Sequence, residues 1–205
     1  MGELGNLYVI AAPSGTGKTT LVKALTESVN QITVSISYTT RPKRPAEIEG
    51  KNYHFISLAE FNKMIAHEDF LEHAQIFENY YGTSKSWVEK TLHAGTDVIL
   101  EIDWQGFQQI KRLFRNSIGI FILPPTFKDL KERLEIRDQD HPEVILTRLA
   151  DAKVAISHAK EFDYIIVNDN FEQALYELTV IVEAGRLQRP RQLKRYAKLI
   201  NAFNS

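Results

Sequence analysis

Apolar runs of strand length recur along the chain with helical patterns between them. The runs are Leu7-Tyr8-Val9-Ile10-Ala11, Asp97 to Asp103 (apolar from Val98 to Leu100), Ile118 to Leu123 and Tyr164-Ile165-Ile166-Val167. Runs apolar on both faces predict core strands of a parallel sheet covered by helices. Ile32 to Ser37 alternates with period two and predicts one more strand, which ends where Pro42 and Pro45 forbid continued strand or helix. Helices are expected from Thr20 through Leu21, Val22, Leu25 and Val29, over Ser86 to His93 with Gly95 closing it, over Gln108 to Leu113, from Thr126 through Leu130, Leu134 and Ile136, over Pro142 to Glu161, and over Phe171 to Leu187. Between Gly50 and Ser84 the pattern changes to Asn52–Ile56, Phe70–Ile76 and Tyr80–Thr83 around a helix from Leu58 to His67. These strands are more polar and aromatic, which predicts an insertion built on a small antiparallel sheet with one wet face.

The order strand, helix, strand, helix places the chain in the α/β class. At 205 residues it suits one globular unit with room for an inserted subdomain. The 25 basic and 26 acidic residues nearly cancel, so no global basic field points to nucleic acid. The absence of cysteine excludes disulfides and thiolate metal sites and fits a reducing compartment. No segment reaches membrane-spanning length and the N-terminus lacks a signal pattern, so a soluble cytoplasmic protein is expected. The basic tail from Arg189 to Ile200 suits a packed or solvated helix better than a nucleic-acid patch, and an oligomer contact stays open.

Candidate chemistry enters with Ala12-Pro13-Ser14-Gly15-Thr16-Gly17-Lys18-Thr19. A buried strand delivers the chain to a Gly-rich turn, and a helix behind it adds its positive dipole end, which together make a phosphate cradle. In such a loop Lys18 reaches the β- and γ-phosphates and the Thr19 hydroxyl ligates Mg²⁺. Ala12 stands where the usual pattern has its first glycine. Glu101 and Asp103 end a core strand, and parallel sheets place ligands beyond the carboxyl ends of their strands, so both carboxylates should face the crevice that holds Lys18. Arg41, Lys43 and Arg44, interleaved with Ser, Thr and Tyr hydroxyls, suit either a solvated loop or a receptor for a phosphate ester. Arg133, Arg137 and Arg148 bracket a polar interruption after Ile136, and spacing alone assigns them to solvent and i,i+4 pairs.

Five separated motifs then point the same way: Pro13 to Thr19, Ser37-Tyr38-Thr39-Thr40-Arg41-Pro42-Lys43-Arg44, Gly50-Lys51-Asn52-Tyr53-His54-Phe55, Asn79-Tyr80-Tyr81-Gly82-Thr83-Ser84 and Glu101-Ile102-Asp103-Trp104-Gln105-Gly106. From about Leu7 to Leu187 the chain resembles the guanylate kinases. The resemblance implies an α/β P-loop NTPase core (1–34, 85–136 and 160–205), a parallel sheet flanked by helices, an inserted mixed α/β GMP-binding subdomain (35–84) and a helical lid (about 137–159). It implies ATP as phosphoryl donor, GMP as acceptor and Mg²⁺ as cofactor.

By the same resemblance Ser14, Gly15, Thr16, Gly17, Lys18, Thr19 and Thr20 hold ATP, with Asn168 and Asp169 bordering the adenine. Glu72 reads the adjacent N1-H and N2 donors of guanine, Ser37 gives a hydroxyl to O6, and Thr83 lies close to the base edge. Arg41, Arg44, Tyr53 and Tyr81 hold the GMP phosphate, with Glu101 and Asp103 on the substrate side. Asp103 sits between substrate and Mg²⁺ waters, Arg44 bridges the two phosphates, and Arg137 and Arg148 come in from the lid beside Lys18 to neutralise the transferring group. Glu101 replaces a commoner Asp and Ile136-Arg137-Asp138 replaces a Gly-flanked arginine, a change expected to alter lid closure. Two other readings share parts of this pattern. A non-catalytic protein-binding module of the same fold would lack a working phosphate loop, and a kinase acting on a phosphorylated ribose would have no use for Ser37 and Glu72.

Overall fold

The computed structural model describes residues 4–76, 78–137 and 142–203, without the side chains of residues 136, 137, 142 and 143. All five residues of β1 (Leu7–Ala11) are buried, and a turn leads from it to α1 (Lys18–Ser28) and β2 (Ile32–Val34). An excursion follows through β3 (Tyr38–Thr39), β4 (His54–Phe55), α2 (Leu58–Ala66), β5 (Phe70–Ile76) and β6 (Asn79–Ser84). The chain then returns through α3 (Lys85–His93), β7 (Asp97–Leu100), α4 (Trp104–Leu113) and β8 (Ile118–Leu123). It continues as α5 (Phe127–Arg137), α6 (Pro142–Ser157), a 3-10 turn at Ala159–Glu161, β9 (Tyr164–Val167), α7 (Phe171–Arg186), α8 (Arg189–Arg195) and α9 (Ala197–Ala202).

The main sheet has the order β2-β7-β1-β8-β9 and every pairing in it is parallel. Strand alternation sends Tyr8 and Ile10 into a cluster with Leu21, Leu25, Ile99, Ile120, Leu178 and Val182 under α1 and α7. It sends Val9 and Ala11 into a second cluster with Val98, Leu100, Phe107, Ile110 and Phe121 under α3 and α4. Both faces of the inner strands β1, β7 and β8 are therefore dry, and each fully buried Leu or Ile contributes roughly 2 kcal/mol of transfer free energy. Central β1 is flanked by β7 and β8, and the connections leave it toward β2 and β7 on one side and β8 and β9 on the other, so its carboxyl end opens on a crevice. Leu130, Leu134, Leu149 and Ala152 join α5 to α6 in a separate small core.

Several expectations change. The strand expected over Ile32–Ser37 stops at Val34, and the chain re-enters extended structure at Tyr38–Thr39 in the second sheet. Ser35 N-H still bonds Ile99 O, so the chain leaves the main sheet only after that contact. The inserted sheet, order β4-β3-β6-β5, is mixed rather than antiparallel, because β3 pairs with β4 in parallel. β9 is an edge strand with Tyr164, Ile165 and Val167 exposed, not a fully buried one. The strand over Asp97–Asp103 ends at Leu100, since Asp103 instead caps α4, its carboxylate accepting from Gly106 N-H at 2.9 Å. The helix expected to run to Glu161 ends at Ser157.

The tail is helical and has no buried residue in α8 or α9, yet it is tied down. The fully buried Asp97 carboxylate accepts from Arg186 Nε at 2.7 Å, Arg191 Nη1 at 2.8 Å and Asn6 N-H at 2.7 Å. Asp97→Ala should lower folding stability by about 3 kcal/mol, because it strands two largely buried guanidiniums. Urea unfolding measures this, and an unchanged midpoint would show that the clamp is ornamental. Among the described residues no helix is long and apolar enough to cross a membrane.

Candidate active site

The Gly-rich loop is shaped by backbone conformations that a side chain would strain. Gly15 has φ +86° and Gly17, the N-cap of α1, has φ +91°. A Cβ on Gly17 would sit 2.7 Å from Asn168 Nδ2. That amide lies behind the loop and donates to Thr16 O at 2.7 Å, while the Asn168 carbonyl accepts from both terminal nitrogens of Arg133 at 3.3 Å. Thr16 is fully buried and its hydroxyl donates to Pro13 O at 2.8 Å. The loop thus rests on the end of β9 and on α5, whose Leu134 approaches Gly15. Ala12 packs partly buried against the α1 side of the core, outside these contacts.

Lys18 opens α1 with Glu101 and Asp103 as its charged neighbours, so the sheet brings together the three groups that the sequence had aimed at one crevice. Burial holds the Lys18 ammonium below its ordinary range, and the two carboxylates oppose that shift. The Thr19 hydroxyl donates to Glu101 Oε2 at 3.0 Å. A hydroxyl beside a carboxylate is a hard oxygen donor set of the kind Mg²⁺ takes, with room left for phosphate and water oxygens. Ser14, Thr19 and Thr20 are exposed on the loop, as a solvent-borne phosphate chain requires.

Across the crevice Glu72 is 4 % exposed and bonded by the Thr83 hydroxyl at 2.5 Å on the neighbouring strand β6. Desolvation pushes its carboxyl up to about 7; the Thr83 bond opposes this and the Asp103 charge adds to it. Its second oxygen lies over the first turn of α4, where a Cβ on Gly106 would meet Glu72 Oε2 at 2.7 Å. Asp103 Oδ2 accepts from Gln105 Nε2 at 3.1 Å, so both Asp103 oxygens are fixed. Half-buried Ser37 holds β4 through its carbonyl, which accepts from His54 N-H at 2.9 Å.

Arg41 lies with its guanidinium 5.5 Å from the Tyr53 ring centroid and beside Tyr81, whose ring meets that of Tyr53 edge-on at 5.9 Å. Burial raises the Tyr53 hydroxyl above its ordinary range, so it stays a donor at neutral pH. Arg44 is exposed on the same loop. Arg148 is half-buried on α6, and the Arg137 side chain lies outside the described residues, as does Asp138 of the altered lid sequence. Asp169 is exposed, whereas Asn168 spends its amide on the loop backbone. Sequence reasoning missed that buttress, the clearance at Gly106, and Glu47, which bonds Arg41 at 2.6 Å. For Glu47 the available signal was that it is the first acid after Arg44, three residues on.

A parallel sheet with this strand order, a Gly-Lys-Thr loop at the end of its central strand and carboxylates beyond the adjacent one define an α/β P-loop kinase. The family model described as guanylate kinase matches residues 4–185. Guanylate kinase of Thiobacillus denitrificans is 53% identical over 97% of this chain and 95% of its own, and that of Saccharophagus degradans is 52% identical over the whole of both. The crystal structure of guanylate kinase from Anaplasma phagocytophilum superposes with TM-score 0.78 at 31% identity, covering 93% of this chain and 91% of that one. The chain belongs to the guanylate kinase family.

Proposed function

We propose that this chain transfers the γ-phosphoryl group of ATP to the phosphate of GMP, giving ADP and GDP. The observation that carries the acceptor assignment is Glu72, a buried carboxylate held by Thr83 with Asp103, a neighbour of Lys18, as its charged neighbour. A carboxylate with one oxygen fixed presents acceptor capacity to two adjacent N-H donors, which guanine has and adenine lacks. Ser37 complements it by donating to O6. Arg41, Tyr53 and Tyr81 meet the acceptor phosphate, with Arg44 reaching between the two phosphate groups.

On the donor side the loop from Ser14 to Thr20 supplies backbone N-H groups, and Lys18 supplies the charge for the β- and γ-phosphates. Thr19, with Glu101 and Asp103 behind it, would hold Mg²⁺ and its waters; when bound, the ion spreads the charge of the triphosphate. A phosphate oxygen of GMP attacks the γ-phosphorus in line while the bond to the β-γ bridging oxygen breaks. The acceptor phosphate is largely dianionic near neutral pH, so no general base is required. The protein's work is alignment and charge neutralisation by Lys18, Arg44, Arg137 and Arg148. The parts divide as a core of 1–34, 85–136 and 160–205, a GMP-binding insert of 35–84 and a lid of about 137–159. A cytoplasmic setting belongs to the same reading, supported by a chain without cysteine.

A coupled assay with ATP and Mg²⁺ against GMP, AMP and ribose phosphates tests this directly. GMP should exceed AMP in kcat/KM by a factor on the order of 10⁴. Background turnover of GMP would refute the reading, and preference for a ribose phosphate would replace it.

A further inference from the structure

The basic loop between β3 and β4 carries a carboxylate with no part in base reading, donor binding or phosphoryl transfer. Glu47 Oε1 accepts from Arg41 Nη2 at 2.6 Å and its Oε2 from the Arg44 backbone N-H at 2.8 Å, so one side chain bridges the two ends of the Arg41–Arg44 segment. The Arg41 and Glu47 side chains are each 16% exposed, less than an ordinary surface pair. Arg41 is further held by Nη1 donation to Pro42 O at 2.9 Å and by its backbone N-H on Thr39 Oγ1 at 3.1 Å. Residues 41–47 have neither helix nor strand and include Pro42 and Pro45, so ladder hydrogen bonds cannot hold them in place.

We infer that Glu47 is a positioning residue for the acceptor phosphate: it fixes the Arg41 guanidinium over Tyr53 and the Arg44 backbone beside it before GMP arrives. The inference rests on the reading of Arg41 as a ligand of that phosphate. Pre-organisation matters because an arginine side chain is rich in rotamers, and freezing it on binding lowers affinity. Glu47 occupies only part of Arg41: a guanidinium has five N-H donors in a fixed fork, and those left over can still bond a phosphate. Both Glu47 oxygens are engaged by loop donors, so its negative charge is spent within the loop rather than presented to the incoming dianion. Arg41 holds the Glu47 carboxyl below its usual range, so the bridge persists at neutral pH.

The test is a double-mutant cycle on Arg41→Ala and Glu47→Ala, read as KM for GMP, KM for ATP, kcat and urea midpoint. Glu47→Ala should raise KM for GMP about tenfold, with kcat and KM for ATP within about twofold and the urea midpoint unchanged. In the Arg41→Ala background, Glu47→Ala should add far less than it does alone, the remainder coming from its bond to the Arg44 backbone. Glu47→Gln, which keeps the length but loses the charge-assisted bond, should give an intermediate rise. The inference is overturned if Glu47→Ala leaves KM for GMP unchanged or lowers it while Arg41→Ala raises it, the lowered value marking Glu47 as a competitor of the phosphate. If Arg41→Ala itself leaves KM for GMP unchanged, the assignment of the acceptor site fails first and the inference falls with it.

Discussion

Glu72→Gln is expected to make the protein more stable and less selective at once. Desolvation holds the Glu72 carboxyl at about 7, above the ordinary 4.5. The folded state therefore binds this proton more tightly than the unfolded state. Stability is highest below the unfolded pKa, declines as pH rises from there to the folded value, and levels off above it. The ionised carboxylate costs the empty protein about 3 kcal/mol at pH 8 by this linkage. A neutral glutamine carries no such cost, so the variant's urea midpoint should exceed the parent's at pH 8 and match it near pH 4.5. Guanine recovers the cost in the parent, because its two N-H donors bond the charged form. Substitution should lower the GMP-to-AMP ratio of kcat/KM by roughly 10²-fold to 10³-fold. Below about pH 7 the parent's kcat/KM for GMP, taken relative to the variant's, should fall about tenfold per pH unit, because only the ionised carboxylate reads the base. The comparison with Glu72→Gln cancels the titration of the GMP phosphate itself. A ratio of GMP to AMP that does not move would remove Glu72 from base recognition.

Lys18→Ala is expected to reduce kcat by about 10³-fold, since phosphoryl transfer relies on charge neutralisation and a positioned donor is worth this much. The loss is sharpened by what remains, because the charges of Glu101 and Asp103 would no longer be offset by the Lys18 ammonium. KM for ATP should rise as well. GMP binding, read by calorimetry without ATP, should stay within a few-fold, because Glu72, Thr83 and Arg41 belong to the inserted sheet and to the loop beside it. Parent-like turnover would show that the donor phosphates lie elsewhere, and a lost GMP affinity would show that the two halves of the crevice are not separable.

Local chemistry made much of the site legible. Gly15 and Gly17, two of the residues that marked the loop as Gly-rich, both have the positive φ that glycine adopts without strain. Glu101 and Asp103 follow a run of apolar residues, and such a run in a parallel sheet has one end where ligands gather. Arg41, Tyr53 and Tyr81 were tied together by motif resemblance, and the structure brings their side chains together at the edge of the inserted sheet. Asn168 was less legible. The resemblance sets Asn168 at the border of the adenine, and the structure adds a second feature, its amide donating to Thr16 O behind the loop. That bond depends on the close approach of β9 to the loop, a contact between residues 152 positions apart.

The sequence by itself determined the parallel core, because continuous apolar runs between helical patterns predict strands covered on both faces, as β1, β7 and β8 are and the edge strand β9 is not, and it determined the phosphate loop, because glycine spacing is a local backbone property. Only the tertiary structure decided that the period-two stretch from Ile32 leaves the main sheet after Val34 and that the next strand, Tyr38–Thr39, pairs in the second sheet, since pairing energy is set by which partner strand is near. It alone made Asp97 the clamp on the tail, by closing two arginines from the far end of the chain over a carboxylate taken out of water. It alone joined Glu47 to Arg41, because a loop interrupted by prolines carries no periodicity from which a side-chain partner can be read.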